Sequence, residues 1–289
     1  MLNKIILGSA NFNQKYGIKK NLIKEKEIKK LFKLAKNNGI KAIDTSPLYN
    51  QSEKIIGRLN NKRFKIISKI PRPPENIKKH DIQKWLKSSV EGSLKNLRIK
   101  KFECLLIHNA NSLLSRNGEE IYKGIKKMKK ANITSKIGVS IYDFKLLNKI
   151  LKKFRFDLIQ APLNVIDQRL VSTGWLKRLK KRNVEIHARS VFLQGILLLK
   201  HYQLPKKLKK LNKNWKIWED WLKKNKLQSI QVCLSYIFQQ KLLDGIILGF
   251  DSKKQLSEIL KFKKIKENFL LPKLNLKNKE LIDPRKWTN

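Results

Sequence analysis

Short apolar segments alternate with longer amphipathic segments along the chain, and this alternation constrains the fold more than any other feature. Eight of the segments are almost continuously apolar, which is typical of strands buried on both faces of a parallel sheet. They are Lys4–Gly8, Ile40–Asp44, Phe64–Lys69, Phe102–His108, Lys136–Ser140, Phe156–Gln160, Val184–Ala188 and Gly245–Gly249. The sequence therefore predicts eight parallel strands.

Helical patterns fill the gaps between these strands. Ile28, Leu31, Phe32 and Ala35 fall at the three- and four-residue spacing of one helical face. The predicted helices are Glu25–Asn38, Asp81–Leu97, Glu119–Ala131, Asp143–Phe154, Ser172–Lys181, Gln228–Gln240 and Ser252–Phe262. Asp143 and Ser252 are suitable N-terminal caps, and Asn38-Gly39 is a suitable helix end.

One stretch, Lys200–Leu227, has no clear pattern and is predicted to be an irregular insertion. It contains Trp215, Trp218 and Trp221. Their spacing favours a packed apolar face, and a lining for a substrate pocket is the alternative.

Eight strands with helical crossovers fit either a barrel or a doubly wound sheet. The first strand is not followed by Gly-x-Gly-x-x-Gly, so a Rossmann-type dinucleotide fold is not supported. A chain of 289 residues suffices for one barrel. No composition shift or Gly/Ser-rich linker divides it. We therefore predict an α/β protein with the (β/α)8 TIM barrel fold and one domain over residues 1–289.

The composition is strongly basic, with 67 Lys and Arg against 22 Asp and Glu and a formal charge of +45. The charge suggests either a polyanion-binding protein or a lysine-rich bias spread over solvated helix faces. The second interpretation is favoured because the lysines are dispersed from Lys19-Lys20 to Lys263-Lys264 and no nucleic-acid motif accompanies them. Specific nucleic-acid binding is not expected, but so positive a field should attract anionic ligands, including a dinucleotide phosphate.

Cysteine usage and hydropathy predict a cytoplasmic protein. Cys104 and Cys233 lie far apart in apolar runs, with no spacing typical of a metal site or a disulfide framework. No signal-peptide core and no run of about 18 apolar residues is present, so no membrane association is expected.

Polar residues interrupt the apolar pattern where the strands end. The carboxyl ends of parallel barrel strands build the active site. The residues at or just after these ends are Asp44, Tyr49, Lys69, His108, Ser140 and Gln160. Four of them also have a structural interpretation: Asp44 as a helix cap, Tyr49 as a half-buried loop aromatic, Lys69 as a surface lysine and His108 as a satisfied histidine.

The segment Ile43–Gly57 carries a specific resemblance. It contains Asp44-Thr45, then Tyr49, then Ser52-Glu53 and Gly57, and it resembles the signature segment of the aldo/keto reductases. Lys69 and His108 follow in order at the ends of the next two strands. The resemblance extends from Ile6-Leu7-Gly8 to about Leu260.

This resemblance implies an NAD(P)H-dependent oxidoreductase that reduces an aldehyde, ketone or sugar carbonyl. Tyr49 would donate the proton, Asp44 would hold Lys69, and His108 would orient the carbonyl. A free tyrosine has a pKa of about 10, and Lys69 is expected to bring that pKa down.

The resemblance also implies where the cofactor lies. Ser140 and Gln160 would hold the nicotinamide carboxamide, and the loop after strand seven would cover the pyrophosphate. The segment after strand eight opens a helix that would hold the adenosine phosphate, although an ordinary capped surface helix is the alternative. The residues implied in these two segments are Ser190, Phe192, Gln194 and Gly195, and then Gly249, Ser252, Lys253, Gln255 and Glu258.

Three departures from the family pattern qualify these roles. Ile141 replaces an Asn that often helps to hold the carboxamide. Arg189 replaces a Tyr that stacks on the nicotinamide, and it could stack there itself or meet an anionic substrate. Gln255 replaces an Arg that often meets the 2′-phosphate, with Lys253 or Lys254 as substitutes. NADP(H) is expected over NAD(H).

Segments around Ala161–Arg169 and Ile186–Gly195 resemble a bacterial subgroup associated with surface-polysaccharide and sugar-nucleotide genes. This implies an anionic sugar derivative as substrate, with Arg169 and Arg189 as candidates to meet its charge. A non-catalytic, cofactor-binding regulatory barrel and a polyanion-binding protein are the alternative functions.

Overall fold

In the computed structural model of the chain, eight parallel strands close into a barrel. The structure describes residues 2–14, 17, 22–60, 63–262, 271–272, 282–284 and 287. Each strand pairs with the next along the chain, and the last returns to pair with the first. The strands are β1 Ile5–Gly8, β2 Ala42–Asp44, β3 Lys65–Ile70, β4 Phe102–Ile107, β5 Thr134–Ser140, β6 Leu158–Pro162, β7 Glu185–Arg189 and β8 Gly245–Gly249. The predicted (β/α)8 barrel is confirmed.

Helices connect the strands and pack around them. They are α1 Glu25–Asn37, α2 Ser52–Leu59, α3 Ile82–Leu97, α4 Gly118–Lys130, α5 Phe144–Lys153, α6 Arg169–Ser172, α7 Trp175–Lys180, α8 Asn212–Lys224, α9 Ser229–Gln239 and α10 Lys253–Leu260. The predicted caps are confirmed: the Asp143 carboxylate accepts the Lys145 N–H, and the Ser252 hydroxyl accepts the Gln255 N–H. Within the described residues, no helix is long and apolar enough to cross a bilayer.

Two of the predicted segments between strands, one irregular and one helical, are wrong in part. The stretch Lys200–Leu227 is not irregular throughout, because α8 runs through it and buries Trp215 and Trp218, each 1% exposed. The three-residue spacing of these tryptophans gives α8 its apolar face, as their interpretation as packing residues anticipated. The predicted helix Ser172–Lys181 is interrupted at Gly174, whose φ of +75° ends α6 and starts α7.

Side chains on alternate positions of the strands face the barrel interior in layers. Inside the barrel these positions form a separate apolar cluster of Ile6, Ile67, Cys104, Leu106, Leu158 and Ile247. Polar residues with the same parity lie toward the carboxyl ends of the strands: Asp44, Lys69, His108, Ser140, Gln160 and Arg189. The alternation therefore directs the predicted strand-end residues to one mouth of the barrel.

At the opposite end of the barrel, Glu185 is the centre of a charged cluster. Its carboxylate lies 2.6 Å from the Lys136 Nζ and 2.8 Å from the His187 Nε2. Lys136 also contacts Glu103 at 3.2 Å. Burial by itself would raise the pKa of Glu185, but the hydrogen bonds from His187 and Lys136 outweigh it and hold the pKa at about 2.

This cluster predicts a specific acid sensitivity. The unfolded chain regains the ordinary glutamate pKa of 4.5, so the stabilisation by Glu185 is complete above that pH and is lost as pH falls toward about 2. Glu185→Gln should lower the free energy of unfolding at pH 7 by roughly 1–3 kcal/mol, and the difference from wild type should shrink on acidification. Urea unfolding across this pH range measures it, with the exposed Glu91→Gln as control. A constant difference at every pH would contradict the assignment.

Candidate active site

A buried ion pair lies at the mouth of the barrel. The Lys69 Nζ, on β3, is 2.6 Å from Asp44 Oδ1, at the end of β2, and the two side chains are 1% and 6% exposed. The ammonium also donates to the Thr45 carbonyl at 2.8 Å, and Asp44 Oδ2 accepts the Gln160 Nε2–H at 2.8 Å. Both charges are thus compensated, as burial requires.

Tyr49 is held above this pair by a tight turn after β2. The Ser46 hydroxyl accepts the Leu48 N–H, and the Ser46 carbonyl accepts the Tyr49 N–H at 3.0 Å. The turn brings the Tyr49 ring over Lys69, whose Nζ is 5.0 Å from the ring centroid. A residue five positions after the end of a strand thereby returns to the mouth of the barrel.

His108 completes the group from the end of β4. Its backbone N–H donates to the Ile70 carbonyl, which continues the β3–β4 ladder. The imidazole meets the Tyr49 ring edge-on, with 6.1 Å between centroids and 89° between planes, and its Nδ1 is 3.3 Å from the Ser46 hydroxyl. The structure thus places all four predicted catalytic residues together.

The expected effect of Lys69 on Tyr49 is wrong for this structure. Burial raises the pKa of the Tyr49 hydroxyl well above its usual value, the charge of Asp44 adds to the rise, and Arg189 opposes it. Lys69 does not reverse this because its ammonium lies over the face of the ring and is already paired with Asp44. Tyr49 therefore keeps its proton at neutral pH.

The two residues predicted to hold the carboxamide lie side by side. Ser140 on β5 and Gln160 on β6 are partners in register. Gln160 is fully buried, and its Oε1 has no hydrogen-bond partner among the described residues, while its Nε2 is bonded to Asp44. A buried acceptor without a partner is costly. This oxygen therefore fits an amide N–H of a ligand, which is the group that a nicotinamide carboxamide presents.

Arg189 was expected to stack on the nicotinamide or to meet an anionic substrate, but its guanidinium is bound to other parts of the protein. Its guanidinium stacks on the Tyr142 ring, 3.7 Å from the centroid, and Nη2 donates to the Ile141 carbonyl at 2.7 Å. Sequence reasoning missed Tyr142. The signal was present, since Tyr142 directly follows the unusual Ile141 two residues after the end of β5.

The loop after β7 has an unusual backbone conformation. Ser190, Leu193, Gln194 and Gly195 have φ values of 61°, 46°, 54° and 90°. The first three carry side chains in a region that disfavours them. The Ser190 carbonyl anchors the loop by accepting the Asn164 Nδ2–H at 3.0 Å. Such clustered strain is typical of ligand-contacting segments, and Phe192 lies within this loop.

In the segment after β8, the first backbone N–H of the helix is already occupied. The Lys253 N–H, at the start of α10, donates to Glu27 Oε1 at 2.8 Å, so a carboxylate of α1 lies where a phosphate is expected. The Gln255 side chain turns back to accept the Asp251 N–H at 2.8 Å. Lys253, Gln255 and Glu258 are exposed, and Gly249 ends β8 with open space beside it.

Arg169 is already committed to another residue of the chain. Its Nε and Nη2 bind the two carboxylate oxygens of buried Asp167 at 2.7 and 2.8 Å. A bidentate pair of this kind fixes the orientation of the guanidinium. The structure therefore does not offer Arg169 to a substrate.

Comparison with known proteins identifies the family of the chain. The sequence matches the family model of the aldo/keto reductase family over residues 4–268. A search of curated proteins found no match. Among solved structures, a glycerol dehydrogenase from Gluconobacter oxydans is similar with a TM-score of 0.70 and 18% identity, over 91% of this chain and 88% of the other.

An aldo-keto reductase from Bacillus halodurans, solved in its holo form, is similar with a TM-score of 0.69 and 16% identity, over 91% of this chain and 88% of the other. At such identities the structural similarity supports the fold alone, whereas the family model covers most of the sequence. The chain therefore belongs to the aldo/keto reductase family.

Proposed function

We propose that the protein is a nicotinamide-dependent carbonyl reductase, which reversibly converts an aldehyde, ketone or sugar carbonyl to an alcohol. Members of this family act on small-molecule carbonyl compounds with nicotinamide cofactors, generally NADPH. The observation that carries the proposal is the assembly of Tyr49 and His108 above the buried Lys69–Asp44 pair.

A bound nicotinamide cofactor would supply the hydride for the carbonyl carbon. Ser140 and Gln160 would hold its carboxamide, with Gln160 Oε1 as the acceptor. The loop containing Ser190, Phe192, Gln194 and Gly195 remains our proposal for the pyrophosphate contact.

The residues around the carbonyl oxygen carry out the proton transfer. The Tyr49 hydroxyl donates its proton as negative charge develops on that oxygen, and His108 donates a hydrogen bond that sets its direction. Lys69 places a positive charge close to the phenolate that remains. Asp44 holds Lys69, and Ser46 holds both Tyr49 and His108 through the turn that it forms.

Because the pKa of Tyr49 is raised, carbonyl reduction and alcohol oxidation should depend on pH in different ways. Reduction needs the protonated phenol, so its kcat/KM should stay level up to about pH 10, the ordinary tyrosine pKa. Oxidation of the alcohol needs the phenolate, so its rate should rise with pH over the same range. Steady-state profiles in both directions measure this. A reduction rate that falls with an apparent pKa near neutrality would contradict protonation by Tyr49.

The preference for NADPH stays a prediction, and Glu27 allows it to be tested. If Lys253 receives the 2′-phosphate, the Glu27 carboxylate beside its N–H opposes that phosphate. Glu27→Ala should then tighten NADPH binding relative to NADH by roughly threefold to tenfold, and Lys253→Ala should weaken it. Glu25→Ala in the same helix, whose partner is Arg58, is the control. If Glu27→Ala and Lys253→Ala changed the affinities for NADPH and NADH equally, the 2′-phosphate would not lie at Lys253.

The function is tested by titrating NADPH and NADH with fluorescence detection, then assaying cofactor oxidation with a panel of aldehydes, ketones and sugars. Binding with turnover supports the reductase. Binding without turnover of any carbonyl would favour the non-catalytic barrel, and steeply salt-dependent binding of nucleic acid would favour the polyanion-binding protein. The anionic sugar substrate and the polysaccharide-associated subgroup also stay predictions, and Arg189 would have to leave the Tyr142 ring and the Ile141 carbonyl to meet such a substrate.

A further inference from the structure

A cavity of about 520 Å³ opens beside His108 at the mouth of the barrel. One wall is the segment after β4, from Asn109 to Leu114, and the other is the beginning of α5 with Ser140 and Tyr142 below it. A carbonyl oxygen bound at His108 would therefore have the rest of its molecule in this cavity.

The cavity lies across the barrel from the segment proposed to hold the adenosine phosphate. That segment follows β8, whereas the cavity is built after β4 and β5. In a closed barrel of eight strands in sequential order, β4 and β5 lie across the axis from β8 and β1. The cavity is therefore placed to receive the carbonyl substrate and not the adenosine end of a dinucleotide.

Two lysines give this cavity its charge. Lys145 and Lys149 both line it, one helical turn apart on the same face of α5. Neither ammonium has an ion pair or hydrogen bond within the described part of the chain, in contrast to Lys129 and Lys180, which are paired with carboxylates.

The acidic residue of the lining is Asp143. One oxygen of its carboxylate accepts the Lys145 backbone N–H at 2.8 Å, as the cap of α5. The cavity next to the proposed catalytic residues thus has two cations that lack partners among the described residues, and one anion that is engaged by the backbone.

We propose that the carbonyl substrate carries an anionic group, a carboxylate or a phosphate, that Lys145 and Lys149 bind. This inference rests on the proposed carbonyl reductase function and assigns the charge recognition to α5, since Arg169 is held by Asp167. The carbonyl lies at His108, which lines the cavity and contacts Tyr49, and the charged end extends along α5.

The test compares matched anionic and neutral substrates with wild type and a Lys145→Ala/Lys149→Ala double variant. Succinic semialdehyde against butanal tests a carboxylate, and glycolaldehyde phosphate against glycolaldehyde tests a phosphate. Wild type should have the higher kcat/KM for the anionic member of at least one pair. The double variant should reduce that ratio roughly threefold to twentyfold, as expected for two exposed charge contacts, and added salt should do the same.

Lys152→Ala is the matched control, because Lys152 is an exposed lysine of the same helix outside the cavity. It should leave the ratio at the wild-type value. A loss of the ratio in Lys152→Ala as large as in the double variant would show that general surface charge, and not this site, selects the substrate.

Binding to cofactor-loaded Tyr49→Phe, measured by calorimetry, gives a second readout that does not need turnover. Weaker binding of succinic semialdehyde to the Tyr49→Phe/Lys145→Ala/Lys149→Ala variant supports the site. Reduction of neutral aldehydes with no anionic preference would overturn this inference and leave the carbonyl reductase intact. Absence of reduction for every carbonyl, with no preference in binding, would overturn both.

Discussion

Replacing Tyr49 with phenylalanine should lower kcat for carbonyl reduction by roughly 10²- to 10⁴-fold, the usual contribution of a positioned general acid. The ring and its contact with His108 are retained, so the barrel and the cofactor site should stay intact. The loss should therefore fall on kcat, with cofactor affinity largely preserved. Stopped-flow measurement of cofactor oxidation at saturating aldehyde, beside a fluorescence titration of the cofactor, gives both quantities.

Two further tyrosines make this experiment specific. Tyr202→Phe is the control, because its side chain is 74% exposed and lies in the segment after β7, and it should behave as wild type. Tyr142→Phe tests the other phenol at the mouth of the barrel. If the large loss of kcat followed Tyr142 and not Tyr49, the proton donor would be wrongly assigned.

Replacing Lys69 with methionine should be the most destabilising of the changes considered. It would leave the Asp44 carboxylate buried, with Gln160 as its one side-chain partner among the residues that the structure describes. Removing one member of a buried ion pair costs about 3–5 kcal/mol because the remaining charge is not compensated. The variant should also lose most of its activity, since the charge beneath Tyr49 is gone.

A double variant separates these two effects. In Asp44→Asn/Lys69→Met both charges are removed, and the Asn amide oxygen still accepts from Gln160, so much of the stability should return. Activity should not return. Urea unfolding and steady-state kinetics measure the two properties, with the exposed Lys87→Met as control. Recovery of activity together with stability would show that Lys69 has only a structural role.

Much of this site could be predicted because the alternation of side chains along a strand, and the position at which a strand ends, can be recognised from the local sequence. Lys69, His108, Ser140 and Gln160 each end an apolar run, and their shared parity points them into one mouth of the barrel. The turn from Asp44 to Tyr49 was identified by its motif, and the structure supplies its physical basis in the hydrogen bonds of Ser46.

The remainder depended on contacts between distant parts of the chain. Glu27 reaches the start of α10 across 226 residues, and no local pattern shows that a carboxylate lies there. The stacking of Arg189 on Tyr142 likewise joins the end of β7 to the segment after β5. The pKa of Tyr49 rises because burial and Asp44 outweigh the opposing charges, a balance that depends on distances and not on the presence of Lys69 in the sequence. The spacing of the tryptophans was recognised, but the extent of α8 was not predicted because its lysines leave no clear apolar pattern at its two ends.

The most direct test of the central claim is to follow the hydride itself. The protein would be incubated with each of a broad panel of carbonyls and with nicotinamide cofactor deuterated at the transferring position, and the products would be analysed by mass spectrometry. Wild type should introduce one deuterium at the former carbonyl carbon of at least one substrate, and Tyr49→Phe should introduce essentially none above background over the same time. Cofactor binding without any labelled alcohol from the panel would contradict the claim and leave a barrel that binds cofactor without performing the reaction.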